Sequence, residues 1–271
     1  MIMHKQLTDI RHQLRIAGLY LRVSIMHELQ YRVHLAMQLV QTGVQLATAF
    51  IGLGVVFAHG DSLNGWTADE LLVVVAMFMV VSGMIGAFIQ PGLKLLMEQV
   101  RKGTLDFTLL MPQDAQFLVS VQRIDPWKLV DVAAGAVLLV VAAVRLPGTI
   151  EPLVVGQFLL LTVAGLTCVY SAWIALSTLT FWFIRAGELL DIARTAFDAG
   201  RWPVNLYPSW LRHGLTFIVP SGFGVSVPAT ALTGSVSAQQ TLVAVGYAAL
   251  ALLMSRALWK VALRRYSGAS A

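Results

Sequence analysis

The sequence predicts an all-α integral membrane protein, and three observations carry that prediction. Of 271 residues, 57% are hydrophobic and only 12% charged, with a mean hydropathy of +0.73, whereas soluble domains carry about 25% charged residues. Apolar runs long enough to cross a hydrocarbon core of about 30 Å recur along the chain. Between them Lys and Arg gather in alternate loops, the asymmetry that marks the cytoplasmic side. The length accommodates about six transmembrane helices with little left over, which excludes a large soluble catalytic domain.

Residues 1–34 hold Lys5, Arg11, Arg15, Arg22 and Arg32, while Ile10, Leu14, Ala17, Leu21 and Ile25 recur every three or four positions. A helix with that pattern has one apolar and one basic face, which predicts an interfacial amphipathic helix on the cytoplasmic leaflet. More than 30 residues precede the first long apolar run, so no cleavable signal is expected and the first span must direct insertion itself. Residues 35–271 then form one membrane domain.

The first span is expected over residues 35–58. Gln38, Gln41, Thr42, Gln45 and Thr48 share one of its faces, and polar side chains at membrane depth point at protein or water. Two roles fit: hydrogen-bonding glue between helices, which is favoured, and a polar wall lining a path, with Gln38, Gln41 and Gln45 as its residues. The loop 59–69 carries Asp61 and Asp69 but no Lys or Arg. The second span follows over 71–91, where Gly83, Gly86 and Ala87 offer close helix packing.

Residues 93–128 form a basic passage with five Lys or Arg side chains, against none in the preceding loop; this places the passage inside and 59–69 outside. Within it Glu98, Arg101 and Lys102 close a helical pattern and Gly103 supplies a helix stop. Leu105, Asp106, Leu109 and Leu110 then recur at helical spacing until Pro112. Two short helices hinged at Gly103 and lying at the membrane surface are predicted.

A third span is expected over 129–146, turning at Pro147-Gly148, with Arg145 snorkelling at its outer end. The fourth begins near Leu153 and stays uncharged through Ile184, a run of 32 residues, or about 48 Å at ~1.5 Å per residue. It must tilt strongly, or its end includes the turn, where Phe181-Trp182-Phe183 suit an interfacial belt. The last span is expected over 241–259, with Arg256, Lys260, Arg264 and Arg265 holding the C-terminus inside.

Residues 185–234 divide two ways. On hydropathy alone, Glu188, Asp191, Arg194 and Asp198 make 186–202 a cytoplasmic amphipathic helix and leave 213–232 as the fifth span, with 18 of the 19 cationic side chains inside. Pro220 and Pro228, however, would break the backbone ladder of such a span twice.

Two groups of residues carry a resemblance. Glu98, Gly103, Leu105-Asp106, Leu109-Leu110 and Pro112 resemble the cytoplasmic signature between the second and third spans of type-2 ABC exporter permeases, the small six-span family that works with a separate ATPase chain. Pro203, Leu206-Tyr207-Pro208-Ser209-Trp210-Leu211-Arg212, Pro220, Pro228 and Leu232-Thr233-Gly234 are similar to the external hairpin those permeases place before the sixth span. The resemblance implies that 98–112 are coupling helices contacting the ATPase and that 203–234 is an external re-entrant hairpin.

On that arrangement 186–202 is the fifth span, departing from the mostly apolar one expected. Its charges would cost at least ~2.5 kcal/mol each at the centre of a lone helix, so they must pair, Asp191 with Arg194 for example, or face a hydrated interface. The hairpin arrangement is preferred and the other stays open. The resemblance further implies a dimer of identical or related permeases, ATP and Mg held by ABC ATPase subunits, and the inner membrane of a prokaryote with both termini cytoplasmic.

No chemistry of the chain's own emerges. His27-Glu28 is followed by Tyr31 where an HExxH zinc helix needs its second histidine. GxSxG is absent, and Gly52-Leu53-Gly54 and Gly222-Phe223-Gly224 lack a third glycine. Cys168 stands alone in an apolar run, so no disulfide forms within the chain. No Walker lysine motif occurs, so any ATP must bind another polypeptide. The net positive charge matches cytoplasmic loops against anionic lipid rather than nucleic acid, because basic and aromatic residues do not interleave on a polar domain. Two further classes stay open: a non-transporting scaffold or assembly factor, and an ion-coupled transporter using Glu188, Asp191 and Asp198.

Overall fold

The computed structural model describes residues 13, 15–26, 32–147, 151–183, 186–233 and 236–266. Lys5, Ile10, Arg11, Leu14, His27, Glu28, Tyr31, Gly148, Ile184, Arg185 and Gly234 lie outside the described residues. Residues 15–26 are helical, within the segment read as amphipathic. Helix α1 (Arg32–Phe57) follows. Thr67 and Glu70 then form a reciprocal capping box that opens α2 (Ala68–Met84).

α2 does not stop at Pro91 as expected. It passes through a π-helical turn, Ile85–Ile89, into α3 (Gln90–Lys102), giving one helix of 35 residues, about 52 Å long. A proline inside a helix cannot bond the carbonyl four residues back. Here the π-turn absorbs the misfit, and the carbonyl left over, Ala87 O, accepts the backbone N–H of Asp125 at 2.9 Å. The helix therefore overreaches a hydrocarbon core of about 30 Å by some ~20 Å. The first of the two expected surface helices is thus the end of the second span.

After α4 (Asp106–Leu109) and α5 (Ala115–Val121), a 3-10 turn at Pro126–Lys128 leads into α6 (Leu129–Arg145). α7 (Pro152–Thr178) runs on into a 3-10 turn, Leu179–Phe181, so most of the long uncharged run is one continuous helix of 30 residues, longer than a hydrocarbon core of about 30 Å. Trp182 and Phe183 beyond it are exposed, whereas Phe181, expected to share an interfacial belt with them, packs inward against Trp259 and Tyr266. α2 is the most buried of the long helices and packs lengthwise on α6, while α7 packs on α11 (Ala238–Leu263). Gly83 serves the first contact, since a Cβ there would lie 2.7 Å from the Val132 side chain. Five helices are long and apolar enough to cross a membrane, or six if one bent pair is a single span.

The bent pair is Ser209–Ile218 with Gly222–Leu232, at 80° to each other; it comprises α9 (Ser209–His213), two π-turns and α10 (Val227–Leu232). Before it, α8 (Ala186–Asp198) runs antiparallel to α2 and α3. Asp191 pairs with Lys94 at 3.2 Å, Arg194 donates to Ser82 O at 3.3 Å, Phe197 stacks on Phe78 at 6.0 Å, and Asn205 Oδ1 accepts from Trp66 Nε1 at 3.2 Å. The expected Asp191–Arg194 pair does not form: one turn of helix separates Arg194 from Asp198, which it approaches at 3.9 Å.

The bent pair packs tightly. Gly165 of α7 faces it so closely that a Cβ would stand 2.3 Å from Phe223 O. Ile218 and Pro220, at the bend, share a cavity of about 240 Å³ with Cys168 and Ala172 of α7 and Leu250 of α11. The far end is tied by Gln157 Nε2, which donates to Val236 O at 3.2 Å.

Candidate functional site

α3 stops where its sequence says it should. Gly103 adopts φ 67° and ψ 20°, a left-handed conformation that costs other residues about 1–2 kcal/mol. Thr104 N–H then returns to Gln99 O at 2.9 Å and Gly103 N–H to Val100 O at 3.2 Å, satisfying carbonyls the helix end would strand. One turn earlier Lys102 Nζ and Glu98 Oε1 pair at 2.6 Å.

Beyond this stop the signature residues divide by direction. Leu105 is completely buried and Leu109 half-buried, both packed into the main core. Leu110 is 81% exposed, and Phe107 and Met111 are exposed with it; Pro112 follows, also exposed. Phe107 and Met111 were not picked out from sequence, although their spacing of three and four from Leu110 and Phe107 puts one apolar face outward. Asp106 opens α4 without a side-chain cap. Tyr266, just past α11, packs beside it, and burial pushes its phenol up, with the charge of Asp106 adding to the effect.

α5 is clamped from two sides. Asp114 caps it, accepting Phe117 N–H at 3.0 Å, and also receives both arms of the Arg256 guanidinium, one to Oδ1 at 2.8 Å and the other to Oδ2. Arg256 reaches Gln116 Oε1 at 2.8 Å as well, and Ser120 Oγ lies 2.8 Å from the Tyr170 hydroxyl of α7. The bond from Arg256 holds the Asp114 carboxyl below the usual carboxylate range. Sequence reasoning gave Arg256 only an anchoring role; the cue it passed over is Asp114 at the N-cap position of a short apolar helix.

On α1, Gln38 and Thr42 are buried and both donate to Asp131 Oδ1 of α6, Gln38 at 2.8 Å. Gln41 is exposed and accepts from Lys128 Nζ at 3.3 Å; Gln45 is half-buried. The four prolines take different places. Pro203 is buried ahead of a 3-10 turn, Pro208 is exposed at the start of α9, Pro220 is buried at the bend, and Pro228 is buried in the first turn of α10. Pro228 follows a π-turn as Pro91 does.

Among the described residues no three His, Cys, Asp or Glu side chains gather where a metal could be held. What the arrangement offers is an exposed apolar tip beyond the end of α3, next to an α5 that is tied to α7 and α11.

No curated protein matches the chain, and no solved structure does. The family model described as ABC-2 family transporter protein matches residues 44–270, a stretch that includes both the 98–112 passage and the proline-marked segment. With its apolar helices and that match over most of its length, the chain belongs to the ABC-2 transporter family and is a transmembrane permease of that family.

Proposed function

We propose that this permease is the translocating subunit of an ATP-driven exporter, working as a dimer with an identical or related chain above separate ATPase subunits that hold ATP and Mg. The observation that carries this reading is the tip formed by Phe107, Leu110, Met111 and Pro112 on the overreaching end of the α2–α3 helix. Exposed apolar clusters of this kind mark protein-binding surfaces. Closure of the ATPase subunits pushes on the tip. The push passes along α3 into α2, the most buried long helix, and through Asp114 and Arg256 into α11. Gly103 and the Glu98–Lys102 pair keep the tip at a fixed angle, and Leu105, Asp106 and Leu109 seat it on the body.

In this reading residues 186–202 are the fifth span and 203–234 enter and leave the membrane from its outer face. Support comes from both ends of that segment: Asn205 bonds Trp66, in the loop before α2, and Val236 bonds Gln157, near the start of α7. Its bend meanwhile lies midway along α7 and α11. Both termini are cytoplasmic, in a prokaryotic inner membrane. Substrate passes along the dimer interface, with Gln41 and Gln45 available to line it and Gln38 committed to Asp131. Asp191 and Asp198 each lie against a cation, Lys94 and Arg194, which disfavours a shared carboxylate site for a coupling ion.

Copurification of the tagged chain from native membranes tests the partnership. A Walker-motif ATPase is expected with the wild type and is expected to be lost with Leu110→Asp; its absence from the wild-type sample would contradict the reading. For the hairpin, a cysteine at Ser209 should react with an impermeant reagent from outside, and labelling only from the cytoplasm would overturn that topology.

A further inference from the structure

We propose that the cleft between α3 and the 123–128 segment is a binding site for the phosphate headgroup of an anionic lipid, in the leaflet where α6 begins. The cleft has a volume of about 290 Å³ and is lined by Gln90, Lys94, Arg123, Asp125 and Lys128, among others. It is a built feature. Pro91, lacking an N–H, leaves Ala87 O without its helical donor, and the Asp125 N–H bonded to it at 2.9 Å holds the opposite wall in place.

The charges in the cleft are unevenly compensated. Lys94 pairs with Asp191 at 3.2 Å. Lys128 is shared between Gln41 at 3.3 Å and Asp131 at 3.9 Å. Arg123 is exposed and, among the described residues, has no hydrogen bond or ion pair. The carboxylate of Asp125 already accepts the Trp127 N–H at 3.1 Å. Arg123 feels the Glu98 carboxylate only through its charge, and a guanidinium with its N–H groups uncommitted beside two ammonium groups is the donor set a phosphate takes.

Depth selects a lipid over a soluble anion. α6 has 17 residues, about 26 Å, close to the thickness of a hydrocarbon core. Lys128 at one end and Arg145 at the other therefore sit at headgroup level. Running away from Lys128 toward the middle of the bilayer, α1 exposes Met37, Val40 and Val44, and α6 exposes Val137 and Val140, an apolar surface on which acyl chains can lie.

Native mass spectrometry of the purified full-length chain, with phosphatidylglycerol or phosphatidylcholine added, tests the proposal. Wild type should retain phosphatidylglycerol in preference, and the double variant R123Q/K128Q should lose about thirtyfold in affinity for it, each cation near a leaflet being worth about fivefold. R145Q, at the opposite end of α6, should leave the preference intact and so controls for folding. Equal retention of both lipids, or a preference that survives the double variant, would overturn the site. Displacement by millimolar inorganic phosphate would overturn the choice of a lipid.

Discussion

Toward the C-terminal end of the last span a single guanidinium joins residues that the sequence keeps 142 positions apart. Arg256 holds Asp114 with two parallel bonds, a geometry lysine cannot copy. Arg256→Ala should lower thermal stability in detergent by about 1 kcal/mol, the pair being partly solvent-screened, and Arg256→Lys should recover only part of it. The pH dependence follows from the depressed carboxyl of Asp114. Such a group contributes stability that is present above the ordinary Asp value of about 3.9 and is lost as pH falls through its lower folded value. The difference between wild type and Asp114→Asn should thus stay level from about pH 8 to 5 and shrink only below ~4. Asp131 plays a comparable part for α1, whose window of apolar residues is only 11% buried. Asp131→Leu removes the interhelical acceptor of Gln38 and Thr42, leaving them only the bonds they make within α1, at a cost of about 1 kcal/mol, and hydrogen exchange should rise over residues 32–57 but not over 129–145.

The helices show which signals act locally. Gly103 was readable as a helix stop because glycine favours the left-handed conformation and a charged helical turn precedes it. Pro91 misled, since the partner that rescues its helix, the Asp125 N–H, lies 34 positions away in sequence as judged from the residue numbers. A π-turn also precedes Pro228, so at these two positions proline sits behind a π-turn within a continuing helix rather than at a helix end. The segment 186–202 was ambiguous for another reason: its charges find partners on α2 and α3, which no periodicity reveals. Close packing sets a prediction here. Gly165→Ala would drive a methyl group against the Phe223 carbonyl, and overpacking of this kind costs about 1–3 kcal/mol. A cysteine at Ser209 in that background should change its labelling rate while α2 and α6 stay protected.

For the whole molecule, composition and apolar runs were enough to give the class, and both motif groups fall within the matched family region. The break at Gly103 and the short helix after it were legible in outline, because Glu98, Gly103 and Leu105 to Pro112 form one contiguous pattern. Its outward face was not, since Leu105 and Leu109 turn inward to the core while Phe107 and Met111 take the exposed positions. That direction depends on how α4 seats against α3 and Tyr266, which is a matter of tertiary packing. The central claim is that this tip receives the motion of an ATPase. A photo-crosslinking residue placed at Leu110 in native membranes tests it most directly: the account predicts a crosslink to a Walker-motif ATPase that the same probe at Trp210 does not give. An absent crosslink at Leu110, or an equal one at Trp210, would contradict it.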